Sequence, residues 1–145
     1  MIDLHYSIHI DALREKVWDV MLADATYRAW TSVFMPGSYY VGDWSEGSKM
    51  LFLGPSADGE KEGGMASFVK ENRAQEFISL QHLGEIRDGV EIPWETVGFE
   101  NYTLKDADGG TEVVIDLLGL PDEYAGMFDE SWPKALESLK QIAEK

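Results

Sequence analysis

Between Pro121 and Lys145, the residues Tyr124, Phe128, Trp132, Leu136 and Leu139 recur at spacings of four and three. On an α-helix those spacings put all five side chains on one face. Three are aromatic, so the stripe carries more apolar surface than a solvated helix can leave in water. The helix must therefore lie on a partner of comparable area. Pro121 suits a first-turn position, Asp122 and Glu123 complement the positive end of the helix dipole, and Lys134, Lys140 and Lys145 populate the far end. Pro133 removes one helix hydrogen bond. The stripe keeps phase across it, which predicts one kinked helix.

The partner has to come from upstream. Leu4, Tyr6, Ile8 and Ile10 alternate with more polar neighbours, the period of a half-buried strand. Asp11 is then an N-cap candidate for a helix over 12–22, with Leu13, Val17, Val20 and Met21 on one face and Trp18 at its margin. Asp24 is placed to cap a second short helix over 25–30, which Pro36-Gly37 ends. Strands are predicted over 38–43, 48–53, 64–71, 76–85, 99–105 and 111–117. Turn chemistry falls at Gly54-Pro55, Asp58-Gly59, Asn72-Arg73 and Asp108-Gly109-Gly110. The stretch 86–98, with Asp88-Gly89 and Pro93, reads as a looser connection.

Strands joined by short turns imply an antiparallel sheet. The expected class is α+β: a curved antiparallel sheet of about six to seven strands around a long C-terminal helix, with two short helices after the first strand. Residues 1–145 are expected to form one domain. A bent sheet and a rod do not fill space perfectly, so a cavity between them is expected.

Composition narrows the partners. A net charge of −15 disfavours nucleic acid and anionic membrane surfaces. The absence of cysteine removes disulfides and thiolate metal sites. The N-terminal residues lack the pattern of a signal peptide and no window is apolar enough to span a membrane, so a cytoplasmic location is expected. With 5 Trp, 6 Tyr, 6 Phe and 6 Met, the chain is rich in large apolar side chains.

Several stretches resemble a known family. They are Ile8-His9-Ile10-Asp11-Ala12 with Lys16-Val17-Trp18-Asp19, then Tyr27 and Trp30, then Gly42-Asp43-Trp44 with Gly47-Ser48. Further on come Gln81-His82-Leu83-Gly84, Asp88-Gly89-Val90-Glu91, Glu100-Asn101-Tyr102-Thr103-Leu104, and Trp132-Pro133 with Leu136 and Leu139-Lys140. With the order of elements, they resemble the START-like, or SRPBCC, superfamily. Within it they resemble the branch of homologues of the activator of the heat-shock ATPase. The resemblance implies the helix-grip fold and a hydrophobic cavity able to hold a small apolar molecule. It implies no shared catalytic set, and fold alone carries no function.

Parity selects the candidate site. His5 and His9 lie on the polar face of the first strand, roughly 13 Å apart, too far to share one metal ion. His82 shares parity with Ile78 and Leu80, which puts an imidazole on the apolar face. It can sit there as a satisfied core residue, as a polar group orienting a ligand, or as an acid/base beside a carboxylate such as Glu91 or Glu100. Tyr102 can aim its hydroxyl inward. Met50, Phe52, Met65, Ser67, Phe128 and Trp132 fall on the same inner surfaces. The candidate ligand-binding set is therefore Met50, Phe52, Met65, Ser67, Ile78, Leu80, His82, Tyr102, Phe128 and Trp132. Trp18, Trp30 and Trp44 read as structural, and Trp94, beside Pro93, as a residue able to cover a cavity mouth.

The expected function is the binding of a small hydrophobic molecule, with no cofactor, no metal and no catalytic residue assigned, and with the oligomeric state open. The alternative is a cyclase- or hydrolase-type enzyme acting on an aromatic or polyketide-like substrate in the same cavity. A third reading, co-chaperone-like protein binding, follows only from the name of the family branch.

Overall fold

The computed structural model describes residues 1–55 and 62–145. Strand β1 (Ile2–Ile10) is followed by helices α1 (Arg14–Leu22) and α2 (Asp24–Thr31). Strands β2 (Tyr39–Val41), β3 (Lys49–Pro55), β4 (Glu62–Arg73), β5 (Phe77–Arg87), β6 (Val90–Ala107) and β7 (Gly110–Leu120) come next. A single 3₁₀ turn (Asp122–Tyr124) leads into helix α3 (Ala125–Ala143). Among the described residues the strands form one seven-stranded sheet in the order β1-β7-β6-β5-β4-β3-β2, with every neighbouring pair antiparallel. The α+β helix-grip architecture expected from the sequence is the one observed. No helix among the described residues is long and apolar enough to cross a membrane.

Two hairpins close where the sequence places Asp-Gly. Asp88 and Gly89 have φ of 53° and 77°, and Asp108 and Gly109 have φ of 49° and 80°. Two consecutive positive φ values match the right-handed twist of the flanking strands, and Asp and Gly tolerate them best.

Other local expectations are corrected. Asp11 does not cap α1. The N-cap is Leu13, which makes no side-chain cap bond and is exposed rather than on the buried face. The N-cap of α2 is Ala23, and Asp24 sits in the first turn. Gly54-Pro55 continues β3 instead of turning. The β4–β5 turn lies at 74–76, just past Asn72-Arg73, with Gln75 in the left-handed region. The Asp58-Gly59 turn lies outside the described residues. The stretch 86–98 is not loose: the strands pair up to Arg87 opposite Val90, and β6 runs unbroken from there. It carries a wide bulge, since His82 pairs with Gly98 but Gly84 with Pro93, so residue 83 faces residues 94–97. Pro93 and Trp94 break the alternation there, which hid the strand. Bulges also fall at Ala66/Ser67 and Val69/Glu71 between β4 and β5. Bulges bend a sheet, and here they sit in the strands that must curve around the helix.

Helix α3 is continuous through Pro133. It buries Phe128, Trp132, Leu136 and Leu139 together with Ala135 and Ala143. The sheet answers with Ile10, Leu80, Tyr102, Leu104, Val113, Ile115 and Leu117, while α1 adds Val17 and Met21. The end of α3 is tied to the β1–α1 corner. Lys140 Nζ donates to the His9 carbonyl at 2.9 Å, and Glu144 accepts from the Asp11 backbone N–H at 2.8 Å. Leu139 is fully buried at the centre of this packing. Leu139→Ala is expected to lower unfolding stability by about 3 kcal/mol, read as a shift of the urea midpoint at unchanged slope.

Candidate functional site

The two ends of the α3 stripe pack differently. Toward its C-terminus the stripe meets aliphatic side chains and closes. Toward its N-terminus it meets α2 and aromatic rings, which leave space. Trp132 stands among Tyr6, Trp30, Phe34 and Tyr102, at ring-centroid distances of 6.3, 6.2, 4.9 and 6.0 Å. Tyr27 packs against Trp30, Tyr40 and Phe52. A cavity of about 310 Å³ remains between α2, the N-terminal half of α3 and the concave face of the sheet. Its lining includes two exposed methionines, Met35 after α2 and Met127 on α3, which mark its mouth.

Six of the ten candidate residues line this cavity: Phe52, Met65, His82, Tyr102, Phe128 and Trp132. The other four lie behind or beside the wall. Met50, Ile78 and Leu80 are fully buried core residues, and Ser67 is fully buried against His82. Parity assigns a face of the sheet but not which side chains cover it. Ile78 and Leu80 pair directly with the lining residues Tyr102 and Glu100, yet they and Met50 are packed over and outside the lining. Trp94 lies inside the β6 bulge, with its ring 6.3 Å from that of His82 and 6.0 Å from that of Tyr124. It covers the imidazole from the side and is absent from the cavity lining.

Sequence reasoning missed the α2 wall. Tyr27, Trp30, Thr31 and Phe34 follow the i, i+3, i+4, i+7 spacing of one helical face and all line the cavity. The signal was present, but the helix is short and its tryptophan was read as structural. Gly63 and Gly64 also line it. Gly64 has a φ of 152°, and a Cβ there would fall 1.8 Å from the Phe52 carbonyl oxygen, so β3 and β4 approach too closely for any side chain.

Four polar groups at and just behind the sheet wall form one connected chain, while Thr31, Ser38 and Glu85 of the lining have other partners. Ser67 on β4, His82 on β5, and Glu100 and Tyr102 on β6 sit on three adjacent strands. Ser67 Oγ lies 2.6 Å from His82 Nδ1, and His82 Nε2 lies 3.2 Å from Glu100 Oε1. The Tyr102 hydroxyl donates to Glu100 Oε2. One imidazole tautomer satisfies the whole chain: Ser67 donates to Nδ1 and Nε2–H donates to the carboxylate. Glu100 is thus the carboxylate beside His82. Glu91 instead pairs with Lys49 at 2.8 Å on the surface. His5 and His9 engage different carboxylates, Asp116 and Asp11. The Trp132 indole N–H is buried without an acceptor among the described residues.

Burial and the Glu100 charge push the Tyr102 phenol well above its ordinary value, and burial, with Glu100 second, does the same for Tyr27. The folded chain therefore holds these two protons more tightly than the unfolded chain does. That stabilisation is complete below the unfolded phenol value of about 10 and is lost as pH rises beyond it toward the folded values. Tyr102→Phe is expected to flatten the alkaline loss of stability above about pH 10, measured by denaturant titration at successive pH values.

Comparison with known proteins agrees with this architecture. Protein MLL2253 from Mesorhizobium loti superposes with a TM-score of 0.74 at 16% identity, over 97% of this chain and 96% of that one. Protein CV1439 from Chromobacterium violaceum gives 0.74 at 19% identity, over 99% and 98%. DynU16, described as a protein in the dynemicin biosynthetic locus, gives 0.70 at 12% identity, over 99% of this chain and 47% of that one. At such identities these likenesses speak for the fold alone. No curated protein matches the chain. The family model described as activator of Hsp90 ATPase homolog 1-like protein matches residues 11–144. The chain belongs to this family, within the START-like superfamily.

Proposed function

We propose that the protein binds a small hydrophobic molecule in the cavity between α2, α3 and the sheet. One observation carries this reading: a cavity of about 310 Å³, walled largely by aromatic side chains, with His82, Glu100 and Tyr102 linked by hydrogen bonds on its sheet wall. Ligand sites combine these two properties, an apolar wall that supplies affinity and a few fixed polar groups that supply orientation. The cavity would suit a compact ring system, whose faces can meet Trp30, Phe34 and Trp132. The acidic, cysteine-free composition supports a cytoplasmic location and argues against polyanionic partners.

The second reading is general acid–base chemistry of cyclase or hydrolase type on an aromatic or polyketide-like substrate. It is favoured by the link between His82 Nε2 and Glu100 at 3.2 Å on the cavity wall. Ser67 fits a positioning role there, because its hydroxyl is fully buried and outside the cavity lining. Co-chaperone-like binding rests on the family description alone.

Ligand linkage tests the first reading. An apolar aromatic ligand present at about a hundred times its dissociation constant is expected to add about 2.7 kcal/mol of stability, seen as a rise in Tm. Met65→Trp fills the cavity and is expected to remove that rise while leaving the fold intact by circular dichroism. A panel of apolar ring compounds that leaves both Tm and tryptophan fluorescence unmoved would overturn the reading.

A further inference from the structure

Resting on that reading of the cavity, we propose that its preferred ligands are aromatic amines, held as cations, and that it excludes aromatic carboxylates of the same shape. The charges of the lining carry the argument. Among the described residues the wall contains Glu85 and Glu100 but neither lysine nor arginine. Glu85 is partnered by Arg87, with a guanidinium nitrogen 2.7 Å from its carboxylate. Among the described residues Glu100 has no lysine or arginine partner. It is nearly buried and accepts from the Tyr102 hydroxyl and from His82.

A carboxylate has about four lone-pair directions, so two donors leave it short of satisfied. Both nitrogens of His82 are already committed, one to Ser67 and one to Glu100. An incoming group therefore meets carboxylate and phenol oxygens rather than a free imidazole nitrogen. A ligand ammonium can take the remaining capacity of Glu100 in a charge-assisted hydrogen bond. The rings complete the site: Tyr27, Trp30, Phe34, Tyr102 and Trp132 all line the cavity, and their faces attract cations. The unpaired Trp132 N–H is neutral. It can take a ligand ether or carbonyl oxygen without offsetting the carboxylate's charge. An anionic ligand would bring a further negative charge into a wall that, among the described residues, holds no lysine or arginine to receive it, and low polarity enlarges the repulsion.

The experiment compares three probes of one shape by calorimetry and tryptophan fluorescence: tryptamine, neutral 3-ethylindole and indole-3-propionate. Tryptamine is expected to bind about tenfold tighter than 3-ethylindole, and indole-3-propionate weaker than both. In Glu100→Gln the amine preference is expected to disappear while 3-ethylindole still binds. The wild-type ranking needs no variant, so a misfolded Glu100→Gln would not remove the test. Equal binding of all three probes, or tightest binding of the acid, would overturn the charge selectivity and leave the cavity reading standing. Failure of all three probes, the neutral one included, would overturn both.

Discussion

Burial of Trp132 is the contact on which the rest of the molecule depends. It is the largest member of the helical stripe, and it meets β1 through Tyr6, α2 through Trp30, and β6 through Tyr102. Tyr6 also donates to Asp129, one turn earlier on α3, at 2.5 Å. The helix is thus fixed in both rotation and depth by one ring and its neighbours. Pro133 follows directly. It withdraws one backbone N–H from the helix ladder, and packing on both sides keeps the helix continuous.

The order of elements was readable because its signals are local. Alternation marks β1, Asp-Gly pairs mark two hairpins, and a stripe in constant phase marks α3. The second half of β6 was readable over 99–105, but its first half was not. Pro93 and Trp94 interrupt the pattern, and pairing with β5 on either side of the bulge marks the strand. Capping at Asp11 and Asp24 was misjudged. Both are good caps in isolation, but the chain enters α1 and α2 through Leu13 and Ala23, whose backbone is extended and which make no side-chain cap bond.

The site was legible in part. Parity found His82 and Tyr102 because β5 and β6 pair in unbroken register from Phe77–Thr103 up to His82–Gly98, where the bulge begins. Applied to β6, the same rule puts Glu100 beside Tyr102 on the inner face. Its place as the shared acceptor between Tyr102 and His82 depends on the register across three strands, which no single strand encodes. Met50, Ile78 and Leu80 show the converse. They share the inner side of the sheet, yet other side chains cover them and they stay outside the cavity lining. Where a cavity stops depends on which side chains oppose one another, and that is settled between elements.

The Ser67–His82–Glu100–Tyr102 chain crosses β4, β5 and β6, directly from Ser67 to His82 and then diagonally to Glu100, so it also records their alignment. A slip of one residue in any of the three would separate its members and strand a buried carboxylate. The polar pole of the cavity is therefore tied to the correctness of the sheet itself. The opposite wall, on α2 and at the two mouth methionines, has no comparable duty. Divergence toward new ligands, in nature or in the laboratory, should accordingly proceed by exchanging residues on the helical wall. The acidic end would stay fixed as a common anchor for all of them.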